Sequence, residues 1–279
     1  RTTVDGPKQV KIVEYYEYGL SPTEPVLVQY IYRASKNVLN SDNTSTAKDV
    51  TVTENRIYVG GLLYLETVQY MYRKVETIPG ATNTRLVQVV EDHLYYSGTS
   101  YFIDSIKYIH KEKLAKNGND RVVTVIRAFF VFAETSPTVR KLVLDYIQHV
   151  YKDKRYVSNF SGTLENALVQ VIELNFSDGG FNTSGVWVEG THTIKDSVQY
   201  TYKKLIPKNG IDRIVTIIQN PAVINNELYL TSVQHSYTIP GYESEVDQQT
   251  SNAAIVETYA IIANDTTRPP GSGPVKIWT

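Results

Sequence analysis

Tyrosine and histidine side chains recur in one pattern and are the first candidates for chemistry in this chain. The pattern is Val or Ile, then Gln or Lys, then Tyr or His, any residue, and again Tyr or His; it starts at Val28, Val68, Ile106, Ile147, Val198 and Val233. Nine of its twelve aromatic positions are Tyr and three are His, with no Phe or Trp. A dry core accepts Phe more readily than a hydroxyl, so these rings predict hydrogen bonds or a ligand.

Carboxylates near the same pattern predict acid–base chemistry as one use of these rings. Two residues before the Val or Ile stand Glu66, Asp104, Asp145 and Asp196, which strand alternation would place on the same face as the rings. A histidine and a carboxylate within reach of each other can act as general acid and base. The candidate catalytic residues are therefore His149, His235, Asp145 and Asp196.

Other features limit this chemistry. Asp145 and His149 lie about 13 Å apart along one strand, so any contact in such a pair must cross strands. The histidines are far apart in the sequence and give no reason to converge on a metal. The motifs of serine hydrolases, zinc proteases and phosphate-binding loops are missing, so we expect no metal and no cofactor.

A ligand-binding use of the rings is the main interpretation. Hydroxyl-bearing rings suit a small planar molecule or a glycan, held in an interior lined by these side chains. The candidate ligand-binding residues are Tyr30, Tyr70, Tyr72, Tyr108, His110, Tyr151, Tyr200, Tyr202 and Tyr237.

The elements that carry these residues are predicted to be β-hairpins. Each copy of the pattern is followed by turn residues, such as Asn117-Gly118 or Asn209-Gly210, and then by a second β-branched segment. Examples of that segment are RLVQVVE from Arg85, RVVTVIR from Arg121, ALVQVIE from Ala167 and RIVTIIQ from Arg213. Six such hairpins are predicted, near residues 26–59, 65–96, 103–133, 142–176, 194–224 and 229–263.

These hairpins predict an all-β fold of about 12 to 14 antiparallel strands. Because a meander of half-buried strands leaves edges unless it closes or stacks, we expect an up-and-down barrel or a two-sheet sandwich. A β-propeller is the alternative, since a repeat of roughly 40 residues also suits a blade. The chain is predicted to be one repeat domain, 1–279, with the Val, Tyr and His face inward and the Gln and Thr face in water.

Composition restricts the partners. A net charge of −1 provides no overall field for nucleic acid, zero cysteines exclude disulfides and thiol chemistry, and no apolar run is long enough for a helical membrane span. Because the chain starts at Arg1, a signal peptide is presumed removed and an extracellular location is expected. Asn-x-Ser/Thr triplets, a modest excess over chance, predict glycosylation at Asn43, Asn159, Asn175, Asn182 and Asn264.

Three functions are therefore open. The first is a secreted or surface binding protein with a small planar or glycan-type ligand in its Tyr- and His-lined interior. The second is a cofactor-free enzyme, oxygenase-like or luciferase-like, in which interior Tyr, His and Asp act as acid and base. The third is a structural or assembly protein whose tyrosine ladders only stabilise it.

Overall fold

The structure, a computed structural model, consists of strands joined by turns. It describes residues 1–16, 25–39, 44–79, 81–96, 100–133, 140–158, 164–177, 179–181, 187–188, 193–224, 227–243, 250–260 and 275–278. Its strands are β1 (Thr2–Thr3), β2 (Gly6–Pro7), β3 (Lys11–Tyr15), β4 (Leu27–Leu39), β5 (Ser45–Val59), β6 (Leu62–Thr77), β7 (Thr84–Tyr96), β8 (Ser100–Lys116), β9 (Asn119–Ala133), β10 (Arg140–Ser158), β11 (Leu164–Ser177), β12 (Gly180–Phe181), β13 (Trp187–Val188), β14 (Thr193–Lys208), β15 (Ile211–Ile224), β16 (Glu227–Glu243), β17 (Thr250–Ala260) and β18 (Val275–Trp278).

The sheet order confirms the predicted all-β fold. One 14-stranded sheet has the order β18-β17-β16-β15-β14-β11-β10-β9-β8-β7-β6-β5-β4-β3, so each long strand lies beside the next along the chain. This is the order expected for an up-and-down barrel or a sandwich. The propeller alternative is wrong, because each blade of a propeller is a separate small sheet.

Two-residue turns connect several of these strands tightly. Asn117 and Gly118 have φ of 50° and 75°, and Asn209 and Gly210 have φ of 53° and 77°. Positive φ at both central residues defines the type I′ turn, whose twist matches that of paired strands. The Asn-Gly pairs therefore end the β8 and β14 strands as the sequence predicted and fix the register of each hairpin.

The described residues form two compact units. Unit 1 comprises 1–111, 125–147 and 177–192, and unit 2 comprises 112–124, 148–176 and 193–279. The prediction of a single repeat domain stays a prediction. Among the residues that the structure describes, no helix is long and apolar enough to cross a membrane.

Strand alternation was predicted correctly at the centre of the hairpins. Val28 and Val68 are fully buried, and Val198 and Val233 are 4% and 3% exposed, so these positions face the core. The β-branched residues of the partner strands share that face and are buried as well; they include Val50, Val52, Val87, Val89, Val123, Val125, Val169, Val171, Val215 and Ile217. Ile106 and Ile147 are only half-buried, which departs from the expected column.

The expectation that Glu66 and Asp104 point inward is wrong. Both side chains are exposed, and each is an extra residue in its strand. Along β6 the pairing passes from Asn55↔Thr67 to Arg56↔Leu65, and along β8 it passes from Asp92↔Ser105 to His93↔Ile103. A β-bulge of this kind turns the extra residue out of the alternation and increases the local bend and twist of the strand. The same irregularity occurs at Thr231 of β16.

The opposite face carries ladders of polar side chains rather than freely solvated ones. Gln69 donates to Asp92 over 2.8 Å, and Asp92 also accepts from Ser105 and Lys107 of the next strand at 2.9 and 3.0 Å. In unit 2, Gln199 donates to Asn220 over 2.8 Å and Asn220 donates to Ser232 over 3.0 Å. Each glutamine thus begins a chain of bonds across three strands.

Replacing Gln69 by Thr is expected to lower the free energy of unfolding by about 1 kcal/mol, since one hydrogen bond to a carboxylate is lost. Urea denaturation measures this loss. Gln170→Thr is the matched control, because Gln170 is exposed and should change stability by less than about 0.5 kcal/mol. Equal effects of both changes would show that the ladder contributes nothing.

Candidate functional site

The interior tyrosine hydroxyls donate to carboxylates on neighbouring strands. The four acceptors are Glu54, Glu91, Glu173 and Glu257. Across the strand pairs, Glu54 lies opposite Tyr30, Glu91 opposite Tyr70 and Glu257 opposite His235. Each carboxylate accepts a hydrogen bond from the second aromatic residue of its pattern. That residue lies diagonally across the strand pair, two residues beyond the first aromatic residue.

The Glu54 cluster lies in unit 1, and the Glu54 side chain at its centre is fully buried. Tyr32 donates to Glu54 Oε1 over 2.9 Å, and the backbone N–H of Val4 donates to the same oxygen over 2.7 Å. Arg56 Nε donates to the other oxygen over 3.0 Å, so the charge is paired. Burial raises the pKa of Tyr32 well above its usual value, Thr3 opposes this, and Glu54 adds to the rise.

The Glu91 cluster, also in unit 1, brings four side-chain types together. Tyr72 donates to Glu91 Oε1, while Lys36 Nζ and His93 Nε2 lie 2.7 and 3.0 Å from Oε2. The Lys36 ammonium also stands 3.7 Å from the centre of the Tyr70 ring, within the range of a cation–π contact. An ammonium group only donates hydrogen bonds. Lys36 donates to the Glu91 carboxylate and at the same time lies over the face of the Tyr70 ring.

The charge state of Glu91 follows from these contacts. Burial raises the pKa of its carboxyl, but the hydrogen bonds from His93, Lys36 and Tyr72 outweigh it and hold the pKa at about 2. Burial, together with Glu91, raises the pKa of Tyr72 far above its usual value. At neutral pH the cluster therefore holds a carboxylate and a neutral tyrosine.

The Glu173 cluster repeats this chemistry in unit 2. Tyr151 donates to Glu173 Oε1 over 3.0 Å, and Lys116 forms an ion pair with Oε2. Lys116 Nζ also lies 2.9 Å from His149 Nδ1, so Nδ1 accepts and the ring proton is placed on Nε2. Burial, with a contribution from Glu173, raises the pKa of Tyr151 to about 12.

The Glu257 cluster is the fourth and also lies in unit 2. Tyr237 and Tyr259 donate to the two carboxylate oxygens over 3.1 and 2.7 Å, and Lys208 forms an ion pair with Oε2. His235 is 1% exposed, and its ring centre lies 5.2 Å from that of Tyr259. Burial, followed by the charge of Lys208, lowers the pKa of His235 to about 4, against the effect of Glu257.

Each lysine reaches a carboxylate that is three strands away in the sheet. Lys36 of β4 binds Glu91 of β7, Lys116 of β8 binds Glu173 of β11, and Lys208 of β14 binds Glu257 of β17. Three strand spacings span about 14 Å on a flat sheet, so bending toward the buried face favours these pairs. The bulges provide such bending.

One hairpin carries an amide at this position. Gln219 replaces glutamate in β15, lies opposite Tyr200, and donates to the Tyr202 hydroxyl over 3.2 Å. The amide needs no counter-ion, which keeps this site neutral. Burial raises the pKa of Tyr202 to about 12.

The structure places the predicted catalytic residues in different surroundings. His149 and His235 belong to the Glu173 and Glu257 clusters, so their neighbouring carboxylates are glutamates. Asp145 is half-buried in unit 1; burial raises its pKa while Lys107 opposes the rise. The side chain of Asp196 lies outside the described residues. The histidine–aspartate pairing stays a prediction.

The predicted ligand-binding residues all lie on the buried face. Tyr70 is half-buried, and the others are at most 9% exposed. Four of their hydroxyls are named above as bonded within clusters: Tyr72, Tyr151, Tyr202 and Tyr237. Ligand binding at these residues stays a prediction.

Of the predicted glycosylation sites, only Asn175 lies within the described residues. It stands in β11, is half-buried and has an interaction partner. Asn43, Asn159, Asn182 and Asn264 lie outside the described residues.

The glutamates are the residues that the sequence interpretation missed, although two of them stand in segments already recognised. Glu91 ends RLVQVVE and Glu173 ends ALVQVIE, two residues after the second inward Val. Strand alternation places both glutamates on the inward face, so the set of inward residues could have been extended by one more position on each partner strand. No sequence pattern identified Lys36, Lys116 and Lys208, because their contacts depend on the bend of the sheet.

No family model, no curated protein and no solved structure matches this chain. In the part of the chain that the structure describes, no group of three or more His, Asp or Glu residues is arranged to hold a metal ion. The clusters can therefore be interpreted only from their own geometry.

Proposed function

We propose that this chain is a structural or assembly protein whose interior tyrosine, glutamate and lysine side chains fix the register of a long meander. The observation that carries the proposal is that Glu91, Glu173 and Glu257 each accept hydrogen bonds from tyrosine and pair with a lysine of the same chain. The hydroxyl donors of Tyr72, Tyr151 and Tyr237, which a ligand would engage, are already occupied within the protein.

Register is the property that such clusters control best. Strands of 13 to 19 residues with β-branched residues on one face can slip by two residues without exposing their core. A buried carboxylate finds its tyrosine and its lysine in one register only, and a slip would leave a buried charge unpaired. Buried ion pairs add little net stability, so specificity of pairing is the role that suits them.

Tyr72→Phe and Tyr237→Phe test this proposal because they remove only the hydroxyl. Each is expected to lower the free energy of unfolding by about 1.5 to 3 kcal/mol, since a buried carboxylate loses a donor. Urea denaturation measures the loss. Tyr64→Phe is the matched control, because Tyr64 is 50% exposed, and it should cost less than about 0.5 kcal/mol.

The interior-binding and acid–base functions are the second candidates, and one observation favours them. The side chains of Lys36 and His149 remain 25% and 21% exposed, which leaves two clusters open to a small molecule. A glycan or planar compound that raises the melting temperature of the parent protein, and binds more weakly to Tyr72→Phe at unchanged stability, would overturn the structural proposal.

An extracellular location with N-linked glycans is proposed together with this function. It rests on the Asn-x-Ser/Thr triplets alone. Because Asn175 is half-buried in a strand, the sites outside the described residues are the ones expected to carry sugar. Mass spectrometry of the protein from its native host, before and after enzymatic deglycosylation, tests this; an unchanged mass would contradict it.

A further inference from the structure

A second regularity lies on the outer face and is separate from the interior clusters. Directly after the second aromatic residue, five of the six hairpins carry a cation: Arg33, Arg73, Lys111, Lys152 and Lys203. All five are exposed, and none forms an ion pair with another described side chain. Folding alone does not require an exposed cation at the same position of five hairpins.

Large aliphatic side chains occupy an outward position on the partner strands of the four central hairpins. These residues are Leu86, Val122, Leu168 and Ile214, which are 62%, 67%, 63% and 69% exposed. Each directly precedes the first inward Val of its strand. The first and sixth hairpins have Asp49 and Ala254 instead, so the feature belongs to the central hairpins.

In unit 1 the cation and the aliphatic residue are close neighbours. Arg73 lies opposite Gln88, and two residues toward the turn Val75 lies opposite Leu86. Two residues along a strand correspond to about 7 Å, so Arg73, Val75 and Leu86 form one exposed patch. On the neighbouring strand pair Gln88 lies opposite Ile109, and Lys111 follows two residues after Ile109 in β8.

Unit 2 carries the same patch on its own strands. Lys203 lies opposite Thr216, and two residues on Leu205 lies opposite Ile214. Leu205 and Ile214 are 61% and 69% exposed. Exposed aliphatic residues beside unpaired cations are typical of a surface that meets an anionic and apolar partner.

The chemistry of the patch selects one partner class. Stacking on bases uses aromatic rings, whereas the outward row consists of Leu, Val and Ile. A second copy that presented the same row would bring like charges together. Aliphatic side chains that enter the acyl boundary beside cations that meet acidic headgroups fit the surface of an anionic membrane.

We propose that the outward patches, Arg73, Val75, Leu86 and Lys111 in unit 1 and Lys203, Leu205 and Ile214 in unit 2, bind the surface of a bilayer containing anionic lipid. The net charge of −1 provides no long-range attraction, so binding depends on local contact and on ionic strength. This inference does not depend on the structural role of the interior.

Vesicle sedimentation of the full chain tests it. The probes are vesicles of phosphatidylcholine alone and of phosphatidylcholine with phosphatidylserine. Binding is expected only to the anionic vesicles and is expected to weaken as salt is raised. Two double variants, Arg73→Gln with Leu86→Thr and Lys203→Gln with Ile214→Thr, are each expected to raise the lipid concentration for half-binding about tenfold.

Lys11→Gln with Leu62→Thr is the matched control. Lys11 is exposed and Leu62 is 60% exposed, and neither belongs to the patches, so binding should stay unchanged. The proposal is overturned if the parent protein binds neither kind of vesicle, or if the control and the patch variants weaken binding equally. Self-association lost in the patch variants, without vesicle binding, would identify a second copy as the partner and overturn it too.

Discussion

Replacing Lys208 by methionine is expected to lower the free energy of unfolding by about 3 to 5 kcal/mol at neutral pH. The change leaves the Glu257 carboxylate buried, with 9% of its side chain exposed, and without its counter-ion. Tyr237 and Tyr259 still donate to it, but hydrogen bonds from neutral hydroxyls do not replace a paired charge. Urea denaturation with circular dichroism measures the loss.

A second substitution separates a buried charge from simple loss of packing. In β15 the equivalent position is Gln219, which is bonded to Tyr202. The double variant Lys208→Met with Glu257→Gln copies that neutral arrangement and is expected to recover most of the lost stability. A Lys208→Met cost below about 1 kcal/mol would show that this ion pair behaves as an exposed one.

The sequence was sufficient for the strands and for most of their faces. Val28, Val68, Val198 and Val233 are buried because side chains alternate between the two faces of a strand and only one face of each strand meets the core. The same rule failed at Glu66 and Asp104, since one extra residue in a strand reverses the alternation. A bulge depends on how two strands pair, and a single strand does not show it.

The candidate site was predictable only in part for a related reason. The tyrosines and His149 and His235 were recognised because they lie within one segment. Glu91 and Glu173 follow the inward valines of the partner strands at a spacing of two, so strand alternation alone could have identified them. Lys36, Lys116 and Lys208 were not, because they meet carboxylates three strands away.

These contacts connect the bulges with the clusters. A sheet without bulges twists gently, and an extra residue, as in β6, β8 and β16, bends its strand and increases the local twist. That bend lets a lysine stem cross the core and place its ammonium beside a carboxylate and an aromatic ring, as Lys36 does at Glu91 and Tyr70. A bend of this kind shortens the path between a lysine and a carboxylate that are three strands apart.

Acidification from pH 7.5 to pH 4.5 is expected to remove about 2 to 3 kcal/mol of stability through His235 alone. Burial and the charge of Lys208 hold the pKa of this ring at about 4 in the folded protein, whereas it is about 6.5 in the unfolded chain. Between these values the unfolded state binds a proton that the folded state does not, so the contribution is complete above pH 6.5 and decreases as the pH falls toward 4.

The measurement is a series of urea denaturation curves between pH 7.5 and pH 4.5, a range that stays above the window in which Glu91 titrates. Burial and its donors hold the pKa of Glu91 at about 2, so its contribution is lost only below about pH 4.5. His235→Gln is the control, since an uncharged amide of similar size should flatten the pH dependence. A variant that loses as much stability as the parent protein over this range would show that other groups, and not His235, make the fold sensitive to acid.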